Sequence, residues 1–518
     1  MKNIFIQVVL VGFVFCSCKK SFLEQTNPNA VTVAQYFNSE NDVILALNGC
    51  YQSLRDNNCL GEESDLYTDQ RSDDTGTNDN QSNAGEPFQF NNFMILPTNS
   101  YLEKHWIALY QTITRCNLLL ANVNTVSYAS DSTKTQYIAE AKFLRALIYF
   151  HLVRKWGDVP MVTVPLVGPA AITAATFRVK TAVVYQQIVA DMTAAAQSNL
   201  PVVQPAANRG RVSLQAVNAL LGQVYLTRYA TLDGGNTGSS ANTTDLDSAN
   251  YYLTACYNMR NFGALSSIPY KDVFDVNKKA TCPELIWQIV YIQGDPNTTS
   301  PTYHSNIAAD AQAIGETIDS QKPGTGVGDN VTHDLVYEYE PTDPRDSFSI
   351  KFANAPTVKD WFITKFRDTS STAGKNGYGG NDWILMRYAD VILMLAEVNM
   401  YQGNSAAAIQ YIDMVRTRAG MPSYEISIAN PAYSAICPTL KLAILHERRV
   451  ELAFEHQRWF DLLRFFSIND LVTYIHSKNQ ANWGLAQIAN FSTKDEYFPI
   501  PYNETILDPV RMYQNPGY

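Results

Sequence analysis

The sequence predicts a mainly α-helical fold, built of helical hairpins that carry long irregular insertions and a few short strands. Three observations point there. Apolar residues recur at helical spacing up to about residue 265 and again from residue 381 to the end. Small residues return at matching places inside several of these helices. Two stretches, 61–99 and roughly 270–380, lose the period and fill with Asp, Asn, Ser, Thr, Gly and Pro.

At the N-terminus, Lys2 precedes an apolar run from Ile4 to Phe15, followed by Cys16-Ser17-Cys18 and Lys19-Lys20. That is the order of an export signal, and the run is too short to span a bilayer. A cysteine after a small residue at such a place resembles a bacterial lipobox, so Cys18 is the expected acylation site, with residues 1–17 as the signal peptide. Cys16, which follows the bulky Phe15, is the alternative, and an ordinary cleaved signal with an incidental cysteine is another. Residues 18–33, polar and containing Asn27-Pro28-Asn29, read as a tether that lifts a body of residues 34–518 off a membrane surface.

Within that body the period predicts helices over 41–54, 100–123, 133–156, 183–197, 213–229 and 247–259. Leu144, Ala146, Tyr149 and Phe150 are echoed by Leu220, Gly222, Tyr225 and Leu226, and the small-residue position returns at Leu395-Ala396 with Met400. A small residue inside an apolar helix lets a neighbouring helix approach closely. Paired helices of this kind form tetratricopeptide-like hairpins, here at irregular spacing. Glu284 to Tyr291 reads as a strand.

From Asn381 to Arg464 three more helices are expected. The first runs from Trp383 through Met386 and Val398 to a Gly403 cap, and the second from Asn404 and Ser405 to Gly420 and Pro422. The third begins after Pro438 and carries Leu442, Leu445, Arg449, Leu452, His456, Trp459 and Leu463 on one stripe. Glu447, Glu451, Glu455 and Asp461 are matched there by Arg448, Arg449, Arg458 and Arg464, and three-residue spacings such as Arg448 to Glu451 and Asp461 to Arg464 allow pairing. This balance reads as a structural ion-pair network rather than a catalytic acid and base. His446-Glu447 does not extend to a zinc site, because Val450 stands where the second histidine belongs.

These words carry a resemblance. Arg387-Tyr388-Ala389-Asp390 with Leu395-Ala396-Glu397, Val415 to Pro422, Glu447 to Glu455, and Arg458-Trp459-Phe460-Asp461-Leu462 resemble the SusD/RagB family of outer-membrane nutrient-binding lipoproteins. Ser21-Phe22-Leu23-Glu24 is similar to the family's opening motif, and Phe498-Pro499-Ile500-Pro501 with Gln514 to Tyr518 to its closing one. The resemblance implies a helical scaffold that binds glycans, or in some members peptides, at the cell surface. It also implies a partner, a SusC-like TonB-dependent transporter in the outer membrane, and no cofactor. Family ligand sites vary, so no binding residue carries over from the motifs.

The residues alone exclude several classes. With 518 residues, 46% hydrophobic and 17% charged, the chain can bury a large core. Its net charge of -10, with arginines set beside carboxylates, argues against nucleic acid. No P-loop, G-x-S-x-G elbow or metal-ligand spacing is present, and Gly324-x-Gly326-x-Gly328 lacks the setting of a dinucleotide site. Cys50, Cys59, Cys116, Cys256, Cys282 and Cys437 read as buried apolar residues, although an exported location also permits a bridge such as Cys50 to Cys59.

Binding is the better-supported reading. The chain is 12% aromatic, with 30 tyrosines and 7 tryptophans, and rings against sugar faces with Asp, Asn and Arg hydrogen bonds make a carbohydrate site. Trp106, Trp287, Trp383 and Trp459 lie in regular segments and read as core. The candidate ligand residues are Arg71, Asp73 and Asp74 in the polar stretch, and Tyr303, His304 and Trp361 in the insertion. The expected function is therefore capture of oligosaccharide and its delivery to a transporter, without catalysis. A peptide importer of the same family, a secreted glycosidase and a helical adaptor without a small ligand are the alternatives.

Overall fold

The computed structural model describes residues 36–77, 85–238, 242–292, 329–354, 359–368, 379–479 and 487–518. Cys18, the tether, Tyr303, His304 and the 324–328 glycines lie outside the described residues.

Four helical hairpins follow one another. They are α1 (Glu40–Leu54) with α2 (Ser100–Asn122), α3 (Asp131–Trp156) with α4 (Thr181–Ala196), α5 (Leu214–Thr227) with α6 (Thr244–Asn258), and α7 (Tyr388–Tyr401) with α8 (Ser405–Arg418). Each hairpin also packs on the next, through α2 on α3, α4 on α5 and α6 on α7. The last of these contacts forms although well over a hundred residues separate α6 from α7. The stack is thus continuous in space where the chain is not, as expected of tetratricopeptide-like repeats.

Local signals start and stop these helices. Ser39 and Asp42 form a capping box at α1, and Asn99, Ser130 and Ser213 cap α2, α3 and α5 through their side chains. Gly403 and Gly420 take the left-handed conformation at φ 78° and 74°, closing α7 and α8. Gly222 shows why the small-residue position recurs: a Cβ there would lie 2.5 Å from Leu253 Cγ on α6.

The strands are short: β1 (Thr75–Thr77), β2 (Val159–Pro160), β3 (Arg178–Val179), β4 (Leu285–Ile289), β5 (Asp329–Val331), β6 (Ile350–Asn354), β7 (Lys359–Ile363) and β8 (Trp383–Arg387). They form an antiparallel four-stranded sheet in the order β1-β5-β7-β6, and the pairs β2-β3 and β4-β8. Trp383 and Met386 therefore belong to a strand, not to the first turn of α7; β8 pairs with β4 almost a hundred residues earlier.

The helix expected to run from Pro438 past Trp459 is two helices, α9 (Leu440–Leu452) and α10 (Arg458–Phe465), followed by α11 (Ile468–Ser477). Between them Phe454 and His456 adopt φ 64° and 59°, a left-handed backbone that no glycine announces. The break turns Glu455 inward onto Arg387 and Lys365.

The closing residues lock the end of α3. Trp156 Nε1 donates to Pro499 O at 3.0 Å, the Phe498 N–H donates to Lys155 O at 2.7 Å, and Asn515 Nδ2 bonds Trp156 O and Phe498 O. Trp106, Trp287, Trp383 and Trp459 are all core residues. The six described cysteines are buried free thiols, so Cys50 and Cys59 are not bridged.

Candidate functional site

The carboxylates of the polar stretch turn inward. Asp73 and Asp74 are fully buried and Arg71 nearly so. Asp73 accepts from Arg458 Nε at 2.6 Å and Nη2 at 2.8 Å, and Asp74 accepts from Arg449 Nε at 2.8 Å. Burial disfavours the charged form of Asp73, but Arg449, Arg458 and Lys478 outweigh it and hold its carboxyl well below the usual range. Arg71 sits over the rings of Trp459 and Phe498, at 4.6 and 4.2 Å, and donates to Asp495 O. A ligand outside the fold does not reach these three side chains, so their part is to anchor the loop to the C-terminal helices.

The same network fills the space between α7, α8, α9 and the insertion. Arg387 bonds Glu284, Glu451 and Glu455, and Arg345 bonds Asp343, Glu447 and Glu451. Arg416 reaches Glu340 and Glu447, and Arg418 reaches Glu284 and Glu451. The expected ion-pair network is present, with one change of partners. Asp461 does pair with Arg464 at 2.9 Å, but Arg448 goes to Asp390 and Asp461 instead of Glu451. Each of these arginines meets two or more carboxylates, which is the condition for burying ions without leaving one uncompensated.

Around this anchor the two regions singled out in the sequence meet. Strand β1 continues directly from Asp74, and β5, β6 and β7 come from the insertion, so one sheet joins both. Thr332 stitches them further: its N–H donates to Asp74 O at 3.0 Å and its hydroxyl to Asp73 O at 2.6 Å.

The sheet ends in the β6-β7 hairpin, where Trp361 is found. Ile350 faces Ile363 at the buried base, and two residues further along the same face Phe352 lies opposite Trp361. Their ring centroids are 5.3 Å apart with planes at 58°. Phe352 is 42% exposed, and Trp361 is half-buried against the core. Tyr337, 64% exposed, stands on the short helix that follows β5. Of the candidate ligand residues inside the described regions, Trp361 is the one on an open face. Phe352, its ring partner, was not singled out in the sequence; its place opposite Trp361 needed the strand register, which composition does not give.

Residues 345–518 match the model of the SusD family, and residues 21–226 match a related model described as starch-binding, associating with the outer membrane. The two matches lie on either side of residues 227–344 and take in helices of both halves of the stack. The chain belongs to the SusD family. Its full-length relatives include SusD-like protein P2 of Formosa agariphila, 27% identical over 99% of this chain and 98% of that one. A SusD-like protein of Bacteroides ovatus is 23% identical over 90% and 83%. Among solved structures, a laminarin-binding SusD-like protein is 26% identical, covers 93% of this chain and 100% of its own, and superposes with a TM-score of 0.71. A SusD superfamily protein from Bacteroides vulgatus, 19% identical, covers 93% and 99% at a TM-score of 0.72 and shares the fold. The SusD family frame agrees with the helical stack described above. No helix among the described residues is long and apolar enough to cross a membrane.

Proposed function

We propose that this SusD family protein binds oligosaccharide at the outer surface of the cell, held by a lipid on Cys18, and passes it unaltered to a TonB-dependent transporter. The observation that carries the binding step is the Phe352-Trp361 pair, an exposed ring beside a half-buried one on the far end of a sheet whose other edge is fixed by buried ions. Aromatic faces stack on the C–H faces of sugar rings, and a rigid base holds them ready at little entropic cost. The laminarin-binding relative supports carbohydrate as the ligand class. Tyr303 and His304 belong to the same insertion and are proposed to contribute. For the partner, Tyr502, Ile506, Leu507 and Val510 expose apolar surface on the C-terminal segment, of the kind that marks a protein interface.

The test is calorimetric titration of a glycan panel against the wild-type protein and the Trp361→Ala and Phe352→Ala variants. Saturable binding that weakens roughly tenfold or more in each variant is expected. Absence of glycan binding, with peptides binding instead, favours the peptide-importer reading; new reducing ends on incubation with polysaccharide favour a glycosidase. Co-purification with a large outer-membrane protein, lost when Leu507 and Val510 are both changed to Glu, tests the partner.

A further inference from the structure

A concavity of about 300 Å³ opens where the end of α1, the turn at residues 206–211 and strand β4 meet. Arg55, Arg209 and Arg211 line it with Asn48, Gln52 and Asn208, and no carboxylate is among the lining residues described. A neighbouring cavity of about 180 Å³ shares Arg209, Trp287 and Gln288, adds Lys279, and again includes no carboxylate among those described. In a chain of net charge -10 this is a local inversion of sign.

The acids that steady these cations stand behind the wall. Asp382, its side chain fully buried, accepts from Arg209 Nε at 2.6 Å, from Lys279 Nζ at 2.9 Å and from the Tyr291 N–H at 2.9 Å. Glu140 accepts from Arg211 Nη1 at 3.0 Å and from the Tyr51 hydroxyl at 2.5 Å, while Asn48 Oδ1 takes Arg211 Nη2 at 2.9 Å. Arg55 makes no ion pair with a described carboxylate; its Nη1 donates to Val290 O at 3.4 Å. Among the described residues four cations are thus set against two carboxylates, and the surplus faces the cleft.

The turn that presents Arg209 and Arg211 is fixed. Trp287 Nε1 donates to Gly210 O at 3.0 Å, and a Cβ at residue 210 would meet Val290 Cγ2 at 2.5 Å. Guanidinium groups held from behind and open in front recognise carboxylate or sulfate through charge-assisted, often bidentate bonds. A neutral sugar would need only the amides. The volume lies at the lower end of ordinary ligand pockets and suits one or two sugar units.

We infer that this cleft binds an acidic glycan, with Arg55 taking the carboxylate or sulfate of a charged sugar unit. The inference rests on the glycan-binding reading and adds to it a ligand class and a second site, away from the aromatic hairpin.

The experiment titrates the purified full-length protein with trigalacturonate, with its methyl ester, with a sulfated galactose disaccharide and with a neutral glucan oligosaccharide. Trigalacturonate or the sulfated disaccharide is expected to bind, more weakly as sodium chloride is raised, and the methyl ester roughly tenfold more weakly than the acid. Arg55→Gln is expected to lose roughly tenfold in affinity for the acidic ligand and nothing for the neutral one, with Arg55→Lys intermediate. Which of the two acidic probes responds separates carboxylate from sulfate. Binding of the neutral glucan with no preference for either acidic probe overturns this inference alone, as does an Arg55→Gln protein that melts normally and binds acid unchanged. Failure of every glycan overturns it together with the proposed function.

Discussion

Asp73 and Arg458 share two hydrogen bonds, at 2.6 and 2.8 Å, across 385 residues of sequence. The pair ties the loop that leads into β1 to the first residue of α10, and so fixes one edge of the sheet whose opposite end carries Trp361. Removing one member leaves the other charged and buried, at a cost of about 3–5 kcal/mol. Asp73→Leu is therefore expected to lower the urea midpoint strongly, and the double change Asp73→Leu with Arg458→Met to recover part of that loss. A double variant no more stable than the single would show that Asp73 is held mainly by Arg449 and Lys478.

His446 makes a second, pH-dependent link. Its Nδ1 lies 2.8 Å from Glu338 Oε1 and its Nε2 3.8 Å from Glu340 Oε1. Burial works against the imidazolium, but these two carboxylates outweigh it and raise His446 to about 9. The folded value is above the unfolded one, so the stabilisation is complete below pH of about 6.5 and lost as pH rises toward 9. A shift of that size corresponds to about 3 kcal/mol. Urea unfolding at rising pH should show the loss in the wild type and a flatter profile in His446→Gln; parallel profiles would mean the link contributes little.

What sequence patterning reveals here depends on how far each residue's partners lie along the chain. The hairpin helices follow from local period, and starts expected at residues 41, 133 and 213 fall close to the observed caps Ser39, Ser130 and Ser213. Trp383 to Arg387 looked helical because its strand partner β4 is remote. The break at Phe454 and His456 has no glycine or proline to signal it; what fixes it is Glu455 reaching Arg387 and Lys365. Asp73 and Asp74 read as candidate ligand residues because polar composition normally means exposure, and the arginines that bury them are more than 370 residues away. Trp361 was legible as an aromatic in an irregular segment, whereas Phe352 became a partner only through strand register.

Gly222 tests the origin of the helical stack. A methyl group at this position would overlap Leu253 on α6, with Cγ at 2.5 Å and Cδ2 at 2.8 Å. Gly to Ala in a helix interior normally stabilises by up to about 1 kcal/mol, but overpacking a tight contact costs about 1–3 kcal/mol. Gly222→Ala is accordingly expected to lower the melting temperature, and Gly222→Ala with Leu253→Ala to recover some of it. A Gly222→Ala protein more stable than wild type would mean that α5 and α6 can separate freely.

Acid sensitivity should come from a different group of side chains. His105, His151 and His456 lie in the interior, and His105 Nε2 is 2.8 Å from Lys155 Nζ. Burial is the first cause holding all three histidines well below their ordinary value, with Lys155 adding to it. Lys155 is itself pushed well down by burial and by Arg154. Arg154 and Lys155 on α3, Glu455 beside His456, and Ser64 and Thr68 face the small cavity that His151 and His456 share, and His105 reaches this group through Lys155. Of the two carboxylates near His456, Glu455 is already committed to Arg387 and Lys365, and Asp69 accepts from the His456 backbone N–H at 3.2 Å. Below pH of about 6.5 the unfolded chain binds protons that the folded one refuses, and stability falls with a limiting slope of about 4 kcal/mol per pH unit. This fall begins above the range where the arginine-paired carboxylates Asp73, Glu338 and Glu451, all held below their usual values, take up protons, so it should appear as a separate, earlier loss of stability. Urea midpoints measured stepwise between pH of about 7 and about 5 should drop in the wild type and drop less in His151→Phe. Equal drops in the two proteins would move the origin of acid sensitivity away from this cavity.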